Sequence, residues 1–229
     1  MPRPSDDSQY FPISHDPYID LPVIGIGMTG VILLIGEGRV VKKAKQYFKR
    51  LGNYQGIISC FQTSQYGIQL ALAEGDLASY LETYPEREDL KIKWILSLIE
   101  TFLYVHSCRV FVDDIALRNI LIIDKQLELA DFGQSILLPP NTEISSANEN
   151  DLTVQIEVLH LAWILYSIAS WHIHKYYFFS PDNPNFCWPS SFPNVDAVLY
   201  GKIFKKCWNR EYASMDHVKD DAYQLLAGH

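Results

Sequence analysis

Apolar positions recur along this chain with two periods, and each period predicts a different kind of element. Ile92, Ile95, Leu96, Ile99, Phe102, Leu103 and His106 follow helical spacing, which predicts a long buried helix ending in Tyr104-Val105-His106-Ser107. A second apolar stretch, Glu157 through Trp171, is too short and too interrupted to span a bilayer and predicts a core helix. Elsewhere the pattern is that of strands. Ile120 to Ile123 and Leu127 to Ala130 read as two short strands joined at Asp124-Lys125, a hairpin with charged residues at its turn. Arg39-Val40-Val41-Lys42 reads as another strand, and alternation puts Val40 and Lys42 on one face while Lys43 points away. Residues 141 to 150 are polar and follow Pro139-Pro140, so they predict an exposed loop. Residues 180 to 193, with Pro181, Pro184, Pro189 and Pro193, predict irregular backbone.

The hairpin matters for what stands at its open end. Asp114 and Asn119 flank Ile-Ala-Leu-Arg just before the first strand, and Asp131 follows the second, so the hairpin brings Asn119 and Asp131 side by side. Carboxylate and amide oxygens converging there suit Mg²⁺, a hard cation usually bound by one or two carboxylates plus substrate phosphates. Asp114 is then left to face a hydroxyl. A single Asp before a strand is most simply a turn cap. Three such residues in this order, followed by Phe132-Gly133, argue for chemistry instead.

Composition narrows the class. The chain has 229 residues, 48% of them hydrophobic, enough to bury a sizeable core. A formal net charge of −8 argues against nonspecific nucleic-acid or anionic-membrane binding, while a basic peptide would still be attracted. Cys60, Cys108, Cys187 and Cys207 are scattered without paired spacing, which indicates neither a disulfide framework nor a zinc site. His172 and His174, two apart, point different ways on a helix and make a poor metal pair. The opening Met-Pro-Arg-Pro-Ser-Asp-Asp-Ser-Gln has no apolar segment of the kind a signal peptide carries, so a cytoplasmic location is expected.

Taken together, the stretch Val110 to Gly133 resembles the catalytic core of the eukaryotic protein kinases, which reads His-Arg-Asp, then Asn five residues on, then Asp-Phe-Gly. Other motifs fall in the same order. Gly25-Ile26-Gly27-Met28-Thr29-Gly30 fits the glycine-rich loop over the phosphates, so Gly25, Gly27 and Gly30 become nucleotide-binding candidates. Lys42 fits the phosphate-pairing lysine, and Val40 on the same face is placed to touch adenine. Gly75-Asp76-Leu77 looks like the start of the helix after the kinase hinge, where Asp76 is either a ribose contact or a helix N-cap. The resemblance implies an α+β, bilobal protein-kinase-like fold with a small, truncated β-rich N-lobe and a larger helical C-lobe. Residues 1–20 would form a flexible tail, 21–75 the N-lobe and 76–229 the C-lobe. It also implies ATP with Mg²⁺, or Mn²⁺ in its place, held by Asn119 and Asp131. Asp114 would orient an acceptor hydroxyl and Arg118 would position acceptor or phosphate.

Three departures from the kinase pattern bear on function. No Asp or Glu occurs between Lys42 and Glu74, so the glutamate that normally aligns the lysine is missing and the helix candidate Gln46 to Leu51 is truncated or displaced. Val112-Asp113 replaces His-Arg, and Asp113 would repel the phosphate which that arginine normally receives. The stretch from Gly133 to Glu157 is short and lacks Ala-Pro-Glu, which reduces the platform for a peptide acceptor. Three readings follow: a protein Ser/Thr/Tyr phosphotransferase, a pseudokinase that acts by binding a protein partner, and a kinase for a small-molecule hydroxyl. The loop Asp-Ile-Ala-Leu-Arg-Asn looks more like that of tyrosine kinases than the lysine-bearing loop of serine/threonine kinases.

Overall fold

A computed structural model describes residues 17–18, 20–27, 30–42, 48–83 and 85–227. Its N-terminal part is a five-stranded antiparallel sheet. The strands are β1 (Val23–Gly27), β2 (Gly30–Gly36), β3 (Arg39–Lys42), β4 (Cys60–Ser64) and β5 (Gly67–Ala71), in the order β1-β2-β3-β5-β4. β3 sits at the centre, where Val40 and Val41 are both buried and Lys42 is paired between Ile32 and Ile68. Between β3 and β4 the described helix α1 is one turn, Phe48–Leu51. Gln46, Tyr47 and Lys43 lie outside the described residues, as do Met28 and Thr29 at the glycine-rich turn and most of the N-terminal 20.

The remainder is mainly helical. α2 (Leu77–Leu81) begins at Asp76, whose carboxylate accepts from the Ser79 backbone N–H at 3.0 Å. α3 (Glu88–Ser107) opens with Glu88 and Asp89, acids that suit the positive end of the helix dipole. Its buried positions, including Trp94, Ile95, Leu98, Ile99, Phe102 and Val105, repeat at three and four as the periodicity requires. α4 (Val154–Ser170) starts one turn earlier than its apolar run suggests and ends at Trp171, which takes a left-handed φ of 54°. Nearly every residue from Val154 to Ile168 is buried, so α4 is the central helix. α5 (Gly201–Trp208) and α6 (Met215–Ala227) pack around α4 and α3. The 180–193 segment has neither helix nor strand, and 141–150 is largely exposed with one 3-10 turn at Ile144–Ser146.

The strand elements between the sheet and these helices set up the site. β6 (Gly75–Asp76) pairs with β8 (Ile120–Ile123), which pairs with β9 (Gln126–Leu129). Asp124 and Lys125 at the turn have φ of 49° and 57°, the left-handed pair that a tight two-residue hairpin demands. β7 (Val110–Phe111) pairs with β10 (Ile136–Leu137) on either side of this hairpin in sequence. β6 therefore bridges the expected boundary at 75/76. A second seam lies at Gly56–Ile58, where the Ile58 N–H donates to Leu129 O (3.0 Å) and the Leu129 N–H donates to Gly56 O (2.8 Å).

That seam depends on Gly56. Its φ is +95°, and a Cβ there would stand 2.1 Å from Thr101 Oγ1 on the fully packed face of α3. Gly56→Ala is expected to destabilise the protein by about 1–3 kcal/mol in urea unfolding. Gly52→Ala, left-handed but with open space around it, is expected to cost about 1 kcal/mol or less. Equal effects at the two positions would contradict the steric account.

Candidate functional site

Two side-chain clusters meet at the open end of the β8–β9 hairpin. In the first, Lys42 Nζ stands 2.6 Å from Asp131 Oδ1, with the lysine side chain only 10% exposed. The same Oδ1 accepts the Gly133 N–H at 2.9 Å. This joins the central strand of the sheet to the residue following β9. In the second, Arg118 Nη2 donates to Asp114 Oδ1 and Oδ2 at 2.6 and 2.7 Å. Asn119 Nδ2 donates to Asp114 O (2.8 Å) and Asp114 Oδ2 (2.9 Å). Asn119 connects the clusters, because the N–H of Ala130, next to Asp131, donates to its backbone oxygen at 3.0 Å.

This arrangement has chemical consequences. Both Asn119 side-chain bonds to Asp114 use the amide nitrogen, and the amide oxygen is the atom suited to a cation. Asn119 and Asp131 fit a hard cation completed by waters and phosphate oxygens. Among the described residues no group of three or more His, Cys, Asp or Glu side chains could cage a metal alone. The carboxylate of Asp114 is held by Asn119 and by an arginine whose side chain is 64% exposed. The guanidinium is thus the exposed member of this pair, while the Asp114 carboxylate is only 20% exposed.

Gly27 pairs with Gly30 across the β1–β2 hairpin, and Gly25 lies against Ile32. Val40 is buried in the core cluster. Both Asp76 carboxylate oxygens are engaged by Ser79, through its N–H and its hydroxyl, which is the N-cap alternative. Asp113 meets the segment that follows α4. It is half-buried and accepts the Tyr177 hydroxyl at 3.3 Å. Burial pushes its proton affinity up, the neighbouring Asp114 charge adds to this, and Tyr177 opposes it. Tyr177 is itself pushed up to about 12, first by burial and then by Asp113.

The residues that hold the Asp114 loop from beneath were not singled out by sequence reasoning. Glu157, fully buried at the start of α4, accepts the Val112 N–H at 2.6 Å and faces His106 Nε2 at 2.8 Å. Burial pushes the Glu157 carboxyl upward and His106 opposes it. An acid inside an otherwise apolar helix was the available signal, since such a charge is almost always partnered. His160, one turn further, accepts the Phe178 N–H on Nε2 at 2.9 Å and is 1% exposed.

No family model matches this chain. It is 31% identical over 109 residues to a protein of Acanthamoeba polyphaga mimivirus that is provisionally named a serine/threonine-protein kinase. The match takes in 48% of this chain and 20% of that protein, so the chain spans only a fraction of its relative's length. The relationship is thus kinase-like at most. The mixed α/β architecture, sheet-rich before residue 77 and helical after it, is compatible with it. Among the described residues no helix is long and apolar enough to cross a membrane.

His160 makes stability depend on pH. Burial lowers its pKa from 6.5 to about 3, and protonation would remove the acceptor that Phe178 uses. Between those values the unfolded chain binds the proton and the folded chain does not, so stability falls as pH drops below 6.5. From pH 7 to pH 5 this group alone is expected to remove about 2 kcal/mol. His160→Gln, which keeps an acceptor but does not titrate, should flatten that part of the pH–stability curve in urea titrations. An unchanged slope would contradict the assignment.

Proposed function

We propose that this chain is a kinase-like phosphotransferase that binds ATP with a divalent cation and moves the γ-phosphoryl group to a hydroxyl. The observation that carries the reading is the Lys42–Asp131 pair joined through the hairpin to Asn119 and Asp114, the set of groups such a transfer requires. Lys42 neutralises phosphate charge. Asn119 and Asp131 would hold Mg²⁺, or Mn²⁺, which when bound offsets charge on the phosphate oxygens. Asp114 receives the proton of the acceptor hydroxyl as its oxygen bonds to the γ-phosphorus. The bond from that phosphorus to the β,γ-bridging oxygen breaks, and ADP leaves. Gly25, Gly27 and Gly30 let backbone approach the phosphates, and Val40 offers an apolar contact to the base. The mimivirus relative's name agrees with this class.

A second reading has its own support. Lys42 has no acid between it and Glu74 to align it, and the described α1 is a single turn. A lysine that is paired with the metal-binding aspartate loses preorganisation, and the cost falls on the transition state more than on nucleotide binding. In that case the chain binds nucleotide and acts through a protein partner.

Thermal unfolding with ATP and Mg²⁺ or Mn²⁺, against ATP with EDTA, tests the nucleotide site that both readings share. Nucleotide at a hundred times its dissociation constant adds about 2.7 kcal/mol, which in a chain of this size raises Tm by roughly 5–10 °C. Asp131→Asn should lose the metal-dependent part. Lys42→Met should weaken binding by roughly 10–100-fold, the value of a charge-assisted bond. A shift that ignores both substitutions, or no shift in the wild type, would refute the site.

A further inference from the structure

A groove of about 510 Å³ opens on the helical part, where the first turn of α4 meets the irregular 180–193 segment and the residue pair that follows α5. None of the residues proposed for phosphotransfer lines it. Its apolar surface comes from Phe186, which is 49% exposed, and from the half-buried Trp188. Phe178 is buried against both, with ring centroids 6.4 and 5.9 Å away. The backbone that carries these rings is tied down. Asn183 accepts the Cys187 N–H at 2.9 Å and donates to Phe178 O at 2.8 Å, and the Trp188 indole donates to Trp208 O at 2.8 Å. A surface fixed in this way loses little freedom when something binds to it.

Arg210 supplies the charge. Its guanidinium lies over the Trp188 ring at 3.9 Å, on an exposed residue, and makes no hydrogen bond or ion pair with any described residue, Asp151 of the same groove included. A guanidinium stacked by its face keeps its edge N–H donors available, in the fork that matches a carboxylate. On the α4 side of the groove the Thr153 hydroxyl and the Gln155 amide also have no hydrogen-bond partner among the described residues. The backbone adds a second sign. Asp151, Phe186 and Arg210 take left-handed φ of 65°, 50° and 60°, three of the ten such non-glycine residues among those described. Conformations of this kind cost about 1–3 kcal/mol each and gather at binding sites.

We propose that this groove docks an exposed segment of a partner protein in which an apolar side chain stands within about three residues of a single carboxylate, a span of roughly 10 Å. The apolar side chain covers Phe186 and Trp188, the carboxylate takes the Arg210 fork, and Thr153 and Gln155 bond the segment's backbone. Aromatic residues and arginine are the types that carry most of the energy at protein contacts. Asp151 and the net charge of −8 disfavour a longer acidic run, and the same charge disfavours a nucleic acid. Ile156 and Phe178 of the groove adjoin Glu157 and Tyr177, which hold Val112 and Asp113, so a docked segment lies against the supports of the Asp114 loop. The proposal holds for either reading of the nucleotide site.

Selection of a random peptide library displayed on phage against the full chain, followed by fluorescence polarisation of the enriched peptides, tests this. Enriched sequences should share an apolar residue near one Asp or Glu and bind with a Kd below about 100 μM. Arg210→Gln should weaken them about 10–100-fold, the value of charge-assisted hydrogen bonds. Phe186→Ser should weaken them about 10-fold through lost apolar contact. Both variants should stay folded, with Tm within about 4 °C of the wild type. A selection that enriches nothing, enriched sequences without an acid, or peptides that bind Arg210→Gln as tightly as the wild type would overturn the proposal. Self-association of the wild type in sedimentation velocity, lost in Phe186→Ser, would overturn it too by assigning the groove to a second copy of the chain.

Discussion

The buried carboxylate of Glu157 is the fixed point from which the rest of the site is hung. It reaches from the start of α4 to the Val112 backbone and to His106 at the end of α3, and thereby sets the position of the loop that carries Asp114. A carboxyl group this deep is tolerable only because it is hydrogen-bonded, and leaving such a buried group unsatisfied commonly costs about 1–3 kcal/mol. The core around it is continuous, with Phe102, Val112, Phe132 and Leu159 all in one cluster of buried residues. The loop is therefore rigid where it leaves α3 and adjustable only at its exposed end, where Arg118 holds Asp114.

The other half of the site depends on a seam between sheet and hairpin. Lys42 comes from the middle of the five-stranded sheet and Asp131 from the end of β9, and the Gly56–Ile58 segment ties the two parts together a few residues away. Tyr104 adds to the seam by donating its hydroxyl to Leu51 O at 2.5 Å, and Arg50 Nη1 donates to Leu138 O at the same distance. The single turn α1 is thus tied to the helical part through Leu51 O and Arg50. Lys42 is held by Asp131, and α1, whose residues are Phe, Lys, Arg and Leu, carries no acid that could pair with it.

Much of this was legible in the chain. The hairpin followed from apolar alternation around Asp124-Lys125, the long helix from its three-and-four spacing, and the nearness of Asn119 to Asp131 from simple strand pairing. What was not legible involved partners far apart in sequence. Periodicity places Glu157 on a helix but cannot say that Val112 and His106 meet it. The same holds for Asp113, whose partner Tyr177 comes from an irregular, proline-flanked segment with no pattern to read. Helix ends also shifted: α4 starts at Val154 because apolar residues on its first turn are buried as deeply as those of its middle.

The proposed phosphotransfer needs a cation site that would be incomplete until nucleotide arrives, with Asn119 and Asp131 as the protein oxygens proposed for it among the described residues. Electron paramagnetic resonance of Mn²⁺ reads this directly, by titrating the ion into the protein with and without ATP and repeating the titration on Asn119→Leu. The account predicts one protein-bound Mn²⁺ in the presence of ATP, none at the same concentration in its absence, and loss of the bound signal in the variant. Tight Mn²⁺ binding without ATP, or a bound signal unaffected by Asn119→Leu, would contradict it.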